Sequence, residues 1–115
     1  MKAVLAKRVD SGVADLSELR DLAAAAGYEV VGELTQTRAE YTAHHFGQGK
    51  VTEIAELVAR TDAETAIIDN EVGPYQMFNI GRILPGETEV LDRFTLILTI
   101  FGQRAQTRKA QLQVE

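Results

Sequence analysis

The 115-residue sequence contains no cysteine and no long hydrophobic run, and each absence excludes a class of protein. Without cysteine there is no disulfide framework and no thiolate chemistry, which fits a cytosolic location. No apolar run approaches the roughly 18 residues that a transmembrane helix needs. The first ten residues hold too short an apolar stretch for a signal peptide. We therefore expect a cytoplasmic protein.

Positively charged residues are also scarce. The sequence contains 12 basic and 17 acidic residues, and its net charge is −5. Such a balance argues against a general nucleic-acid binder. The distribution is uneven, however: residues 93–115 carry four basic groups and one acidic group, a net charge of +3, while the remainder carries 8 and 16, a net charge of −8. An anionic partner would meet the C-terminal segment first. The alternative is that these charges are simply solvated on one helix face.

Short apolar runs alternate with amphipathic stretches along the rest of the chain. Ala3, Val4, Leu5 and Ala6 follow one another directly, as in a buried strand. Apolar residues after Asp15 recur at helical spacing instead. The predicted strands are residues 2–9, 28–34, 65–69 and 88–91. The predicted helices lie between residues 15 and 27, 51 and 60, and 74 and 84, and from residue 93 onward.

Strands that alternate with helices predict an α/β fold with a parallel sheet. We expect four strands in the order 2-1-3-4, with helices on both faces and a long C-terminal exit helix. In such sheets ligands bind beyond the carboxyl ends of the strands, near the reversal of strand order. The loops at that edge would be residues 10–13, 35–50, 69–73 and 92–93.

The exit helix, residues 93–115, would follow Asp92 as its N-cap. Its first half is apolar on nearly every side and should be buried. In its second half the apolar residues form only a narrow stripe, which predicts packing against a single partner. No glycine, proline or asparagine ends the helix. We therefore expect residues 1–92 to form an α/β domain, and residues 93–115 to begin a long helix of a larger protein. A stripe left exposed could also produce a dimer.

Gly47-Gln48-Gly49-Lys50 leads straight into a predicted helix and could form an anion-binding nest. It is not a Walker A loop, because His44 and Val51 stand where that motif needs glycine and serine or threonine. The alternative is that the glycines merely permit a positive φ.

Other polar residues give weaker signals. His44 and His45 are adjacent and lack carboxylates at ligand spacing, so we expect no metal site. Asp69 at the end of the third strand has the position of the phospho-acceptor in receiver domains, but the acidic pair after the first strand is missing. No constellation of residues predicts a catalytic centre.

Four segments carry a family resemblance. They are GELTQTR (residues 32–38), FGQGKVTEIAELV (46–58), the turn IDNE (68–71) with its following glutamine, and LDRFTLILTIFGQRAQTRKAQLQVE (91–115). Together they resemble the N-terminal region of HflX-type GTPases, whose helix reads close to D-R-T-x-L-I-L-D-I-F-x-x-R-A-x-T-x-E-G-K-L-Q-V-E-L-A. Phe94, Thr99 and the segment 109–111 depart from that pattern.

The resemblance implies a larger protein in which the exit helix continues into a helical hairpin and a GTPase domain that uses GTP and Mg²⁺. HflX-type proteins bind the large ribosomal subunit and split or rescue stalled ribosomes, notably under stress. Their N-terminal region contacts ribosomal RNA and affects the nucleotide cycle. Residues 1–115 contain no P-loop, so this chain by itself should neither bind GTP at the family site nor hydrolyse it, and needs no cofactor.

Two groups of residues are therefore candidates for contacts with ribosomal RNA. Arg104, Arg108 and Lys109 on the exit helix would contact phosphates through charge-assisted hydrogen bonds. The second group is Gly47, Gly49 and Lys50. We expect a structural role for Arg93, because it lies in the first helical turn beside the sheet.

The alternative function is a small-molecule site in which the α/β domain binds an adenine nucleotide at its loop ends, most simply at residues 47–50. Such a site should show an acidic partner for the ribose or a carboxylate for Mg²⁺ nearby. The sequence shows neither convincingly.

Overall fold

The protein is an α/β domain of four strands and four helices in strict alternation. The computed structural model describes the backbone of residues 1–113 and the side chains of residues 1–103. The strands are β1 (Lys2–Val9), β2 (Glu29–Thr37), β3 (Thr65–Ile68) and β4 (Glu89–Asp92). The helices are α1 (Ser17–Ala25), α2 (Gln48–Thr61), α3 (Pro74–Ile83) and α4 (Arg93–Gln113).

The strands form one parallel sheet in the order β2-β1-β3-β4, which confirms the predicted topology. The chain moves from β1 outward to β2, returns to the other side of β1 for β3, and then adds β4. The order therefore reverses between β1 and β3, and the carboxyl ends of these two strands lie side by side at the position where such folds bind ligands.

Two hydrophobic cores cover the two faces of the sheet. Val4 and Ala6 of β1 point into the core formed with α2 and α3. Ala3 and Leu5 point into the core formed with α1 and α4. Both faces of the central strands are thus buried, which explains why their sequences are continuously apolar instead of alternating.

Most helix ends follow the signals in the sequence. Asp92 caps α4, since its Oδ1 accepts the N–H of Thr95 at 2.8 Å. Gly27 stands after α1 with a φ of 91°. The start of α1 differs from the prediction: the helix begins at Ser17, and Asp15 lies before it and accepts the N–H of Ser17 at 2.9 Å.

β2 contains an irregularity next to Gly32. Ala3 pairs with Val30, but Val4 pairs with Gly32, so β2 carries one extra residue at this point. A Cβ on Gly32 would lie 2.8 Å from Cδ2 of Leu57. The absence of a side chain at Gly32 therefore lets α2 pack closely on the sheet.

α4 does not bury its apolar first half on every side, and that prediction is wrong for this chain. Leu96 is fully buried and Ile100 packs on the core of α1, but Phe94, Leu98 and Phe101 are exposed by 68, 53 and 60%. Over residues 93–103, α4 contacts the domain along one face, and its opposite face is apolar and uncovered.

α3 likewise exposes large apolar and aromatic side chains. Tyr75 and Phe78 are 66 and 65% exposed, and Ile83 is 38% exposed. Ile80 supplies the buried contact, with Met77 packed against the same core. Within the described part of the chain, no helix is both long enough and apolar enough to cross a membrane.

Candidate functional site

A cavity of about 430 Å³ opens at the carboxyl edge of the sheet, next to the reversal of strand order. Its walls come from the ends of three strands and from the first turns of α4. The lining residues are Lys7, Asp69, Asn70, Glu71, Asp92, Arg93, Phe94 and Ile97. The cavity thus combines charged groups of both signs with two apolar side chains.

Asp69 is the most enclosed ionisable group of this cavity. Its side chain is 2% exposed and lies 3.3 Å from Nζ of Lys7 and 3.5 Å from Nη1 of Arg93. Arg93 also pairs with Glu18 of α1. The predicted structural role of Arg93 fits this geometry, because its guanidinium ties α4 to β3 and α1. A buried carboxylate needs such partners.

A second polar cluster lies behind the opposite face of the sheet, around Arg8 and His45. Nε of Arg8 lies 3.3 Å from Nε2 of His45, and Nη1 of Arg8 donates to Oδ1 of Asp10 and to the carbonyl of Arg38, both at 2.7 Å. Asn70 bonds the backbone of Arg8 on both sides. The cluster thereby joins β1, the β3–α3 turn and the loop 38–47.

His45 is buried in its neutral form. Burial lowers the pKa of His45, and the neighbouring charge of Arg8 lowers it further, while Asn70 and Glu40 act in the opposite direction. Nε2 must be unprotonated to accept the N–H of Arg8. Nδ1 lies 3.4 Å from Oε1 of Glu40 but without the alignment of a hydrogen bond. The backbone of His45 has a φ of 72°, an uncommon value that histidine adopts more readily than most residues.

The loop 38–47 is held to α3 by side-chain hydrogen bonds. Nε2 of Gln76 lies 3.2 Å from the carbonyl of Thr42, and Nδ2 of Asn79 lies 2.9 Å from the carbonyl of Ala43. Tyr41 and His45 pair their backbones across the loop at 2.7 and 3.0 Å. The loop 38–47, which lies within the predicted loop 35–50, is therefore held in place on the surface, and Arg8 bonds the carbonyl of its first residue.

Residues 47–50, the predicted anion-binding nest, do not have the positive φ angles that the glycines could provide. Gly47 is the N-cap of α2 with a φ of −62°, and Gly49 lies within the helix, so neither glycine supplies a positive φ. A Cβ on Gly47 would clash with Nη1 of Arg38. The Lys50 ammonium pairs with Glu53 at 2.8 Å. Gly47 thus admits the Arg38 guanidinium, while Lys50 is held along its own helix.

The other predicted contacts, Arg104, Arg108 and Lys109, belong to the distal half of α4. Their side chains lie outside the described residues. α4 covers the face of the sheet opposite to α2. Both predicted groups of contacts stay predictions.

Reasoning from the sequence missed Lys7 and Arg8 as members of polar clusters. A usable signal existed, because two basic residues follow the buried run of β1 and so must lie at the carboxyl edge of the sheet. Among residues 1–103, no group of three or more histidine, aspartate or glutamate side chains is arranged to hold a metal ion.

The fold and these clusters define a class: a parallel α/β domain that ends in a long helix with an uncovered apolar face. Residues 13–102 match the family described as "GTP-binding GTPase N-terminal". The GTPase HflX of Escherichia coli K12 is 40% identical over 107 residues, which cover 92% of this chain and 25% of that protein. The GTPase HflX of Thermofilum pendens is 42% identical over 111 residues, 91% of this chain and 25% of that protein.

Solved structures agree with the sequence comparison. The crystal structure of SsGBP with GDP superposes with a TM-score of 0.73 at 25% identity, over 99% of this chain and 33% of that one. A GTP-binding protein from Sulfolobus solfataricus in complex with GDP gives a TM-score of 0.64 at 26% identity, over 88 and 30% of the two chains.

The chain belongs to the GTP-binding GTPase N-terminal family. Its similarity to HflX proteins confirms the resemblance inferred from the sequence, and it spans about a quarter of the length of these curated relatives.

Proposed function

We propose that this chain is the ribosome-binding and regulatory N-terminal domain of an HflX-like GTPase that acts on the large ribosomal subunit, in ribosome splitting or rescue. The observation that carries the proposal is the family match over residues 13–102. In the whole protein, GTP and Mg²⁺ would bind to a separate P-loop domain. This domain would contribute contacts to ribosomal RNA and influence the GTPase.

The distribution of charge supports a contact through the distal half of α4. The helix has 21 residues and so spans about 31 Å. Arg104 and Arg108 are four positions apart in the sequence, the spacing that brings two charges to one face of a helix, and Lys109 follows directly. The rest of the chain is strongly acidic, so phosphate groups would be attracted to this end of the molecule and repelled from the remainder.

The uncovered face of α4 supports the further proposal that α4 leads into a helical hairpin and a GTPase domain. Phe94, Leu98 and Phe101 follow a spacing of four and three residues, which is the pattern that packs against another helix. A second hairpin helix on this face would bury the three side chains. Movements of the hairpin would then be transmitted to the sheet through Arg93 and its ion pairs.

Binding of this chain to purified large ribosomal subunits tests the proposal. The Arg104→Ala/Arg108→Ala variant should bind at least about tenfold more weakly than wild type, since each lost charge-assisted hydrogen bond costs about a factor of ten. Arg60→Ala, an exposed arginine at the end of α2, is the matched control and should bind like wild type.

Two results would redirect the proposal. Weakening by Lys50→Ala alone would move the contact to the start of α2. Failure of the folded wild-type chain to bind subunits at low salt would remove ribosome binding as a property of this domain and leave the regulatory part of the proposal.

The cavity beside Asp69 favours a second candidate function, the binding of an adenine nucleotide. Lys7 and Arg93 could face phosphates there, and Phe94 could contact the base. Titration of the chain with ATP, followed by calorimetry, tests this function. Binding that Lys7→Ala abolishes would support a nucleotide site at the carboxyl edge of the sheet, whereas absence of heat in wild type would exclude it.

A further inference from the structure

Asp69 shares its buried carboxylate between two basic residues, and the two are held differently. Nζ of Lys7 lies 3.3 Å from Oδ2, and Nη1 of Arg93 lies 3.5 Å from Oδ1. The side chain of Lys7 is 23% exposed, and that of Arg93 is 38% exposed. The carboxylate therefore has a closer contact with the more enclosed cation and a longer contact with the cation that solvent reaches.

Lys7 belongs to the framework of the sheet. It lies in β1, which pairs with β2 on one side and with β3 on the other. Its ammonium also donates to the carbonyl of Asp15 at 3.1 Å. The N–H of Asp69 donates to the carbonyl of Ala6 at 2.8 Å, so the backbones that carry Lys7 and Asp69 are bonded to each other. A movement of α4 would therefore leave the pair of Lys7 and Asp69 intact.

Arg93 is the first residue of α4 and follows β4 without a linker. Its second partner, Glu18 of α1, is 68% exposed. Ion pairs that solvent reaches contribute little to stability, and salt weakens them. If Arg93 moved away, the buried carboxylate of Asp69 would keep the counter-charge of Lys7, so the large penalty for an unpaired buried charge would not arise. Release of Arg93 should therefore cost little free energy.

The surroundings of Arg93 give α4 room to turn. The cavity of about 430 Å³ lies beside the guanidinium, and Phe94 and Ile97 of the same helix line it. Leu96 is fully buried in the core formed with α1, and Ile100 packs against the same core. Since Leu96 and Ile100 lie on one face of α4, the helix can turn about Leu96 while this side chain stays buried.

We propose that the contacts of Arg93 with Asp69 and Glu18 form a releasable latch, which we call the Arg93 latch. While the latch is closed, α4 has a fixed direction relative to the sheet. When Arg93 leaves both carboxylates, α4 turns about Leu96 and the domain stays folded on the pair of Lys7 and Asp69.

The Arg93 latch deepens the proposed function, because it sets the direction of the helix that would lead to the rest of an HflX-like protein. The inference rests on that function only for what α4 is attached to. Its physical test needs neither ribosomes nor nucleotide.

The test places two spin labels on a chain that has no cysteine of its own. Glu56→Cys on α2 and Gly102→Cys on α4 are exposed positions, and a Cβ at Gly102 meets no atom within 4 Å. Double electron–electron resonance then measures the distances between the labels. The labelled chain is diluted with an excess of unlabelled chain, so that contacts between two copies contribute no signal.

Arg93→Ala should broaden the distance distribution and shift its mean by several ångström, because residue 102 lies about 9 Å along the helix from Leu96. Arg20→Ala is the matched control, since it removes an exposed ion pair between α1 and Glu33 of β2, and it should leave the distribution unchanged. Urea unfolding should show a larger loss of stability for Lys7→Ala than for Arg93→Ala, because Lys7→Ala leaves the buried carboxylate with the more exposed cation alone.

A salt series distinguishes a releasable latch from a permanent ion pair. Raising NaCl from about 0.05 M to about 1 M shortens the screening length to about 3 Å, which weakens the exposed contact with Glu18. The wild-type distribution should then move toward that of Arg93→Ala, whereas Arg93→Ala itself should not respond to salt.

Three outcomes would overturn the inference. The first is an Arg93→Ala chain whose label distances equal those of wild type. The second is a wild-type distribution that does not change with salt, since Arg93 would then be a permanent contact. The third is an Arg93→Ala chain that loses as much stability as Lys7→Ala, because release of Arg93 would then disrupt the domain.

The Arg93 latch and the proposed function can fail separately. A chain that binds large ribosomal subunits but keeps its label distances in Arg93→Ala would retain the ribosomal function and reject the latch. Label distances that respond to Arg93→Ala and to salt in a chain that does not bind subunits would retain the latch and remove ribosome binding.

Discussion

His45 shows how a single residue can make the stability of this domain depend on pH. It accepts a hydrogen bond from Arg8, which requires a neutral ring, and burial lowers its pKa below the usual value of about 6.5. As the pH falls below about 6.5, His45 binds a proton in the unfolded chain but stays unprotonated in the folded chain. Stability is therefore complete above that pH and declines below it.

We predict that the free energy of unfolding falls between pH 7.5 and 5.5, by at most about 1.4 kcal/mol per pH unit from His45. Urea titrations at several pH values measure this slope. His45→Asn should flatten it, because asparagine does not titrate and tolerates the positive φ of this position. An equal slope in His45→Asn would contradict the account.

At the scale of elements, the packing of α2 on β2 depends on the missing side chain of Gly32. A methyl group there would overlap the buried Leu57 side chain, so Gly32→Ala should lower the free energy of unfolding by about 1–3 kcal/mol. Leu57→Ala alone should cost about 2–5 kcal/mol. The double variant should cost less than the sum, because the added methyl would enter the space that Leu57 vacates. Denaturant unfolding of the four proteins measures the coupling.

Gly49→Ala is the control for this cycle. Gly49 lies in α2 with no atom near its missing Cβ, so alanine should raise stability by about 0.5–1 kcal/mol. If the losses in free energy of unfolding caused by Gly32→Ala and Leu57→Ala are simply additive, the close packing of Leu57 on Gly32 is not the role of this glycine.

Much of the element structure could be predicted from the sequence. Continuous apolar runs such as residues 3–6 indicated buried parallel strands, and Asp92 and Gly27 marked helix ends that the structure confirms. These signals are local or repeat within a few residues. The Arg8–His45 contact joins residues 37 positions apart and depends on how the loop folds back, so no local pattern could reveal it.

The exposure of α4 could not be predicted for a similar reason. Its composition showed that the helix needs apolar contacts on more than one side, but not which of them this chain supplies. Leu96 is buried against the domain, while Phe94, Leu98 and Phe101 stay more than half exposed. The sequence pattern indicated that these apolar side chains need to be buried. The structure shows which of them residues 1–103 bury.

At the scale of the whole molecule, the uncovered face of α4 should make the isolated chain self-associate. Sedimentation velocity over a concentration series should show a reversible dimer, because burying Phe94, Leu98 and Phe101 against a second copy removes apolar surface from water. Leu98→Asp/Phe101→Asp should shift the chain to monomer, since the new carboxylates would lose solvation in the interface. Phe78→Ala, on α3, serves as the control.

A wild-type chain that stays monomeric at its highest soluble concentration would contradict this prediction. Dimers that persist unchanged in Leu98→Asp/Phe101→Asp would place the contact elsewhere on the molecule.

The most direct test of the central claim is the salt dependence of binding between the wild-type chain and purified large ribosomal subunits. Each phosphate contact should contribute a slope of about −0.7 to −0.9 in a plot of the logarithm of affinity against the logarithm of salt concentration. Contacts from Arg104, Arg108 and Lys109 together predict a slope of about −2 to −3. Binding with such a slope would support a domain that holds ribosomal RNA through its phosphates, whereas no binding at low salt, or binding indifferent to salt, would contradict it.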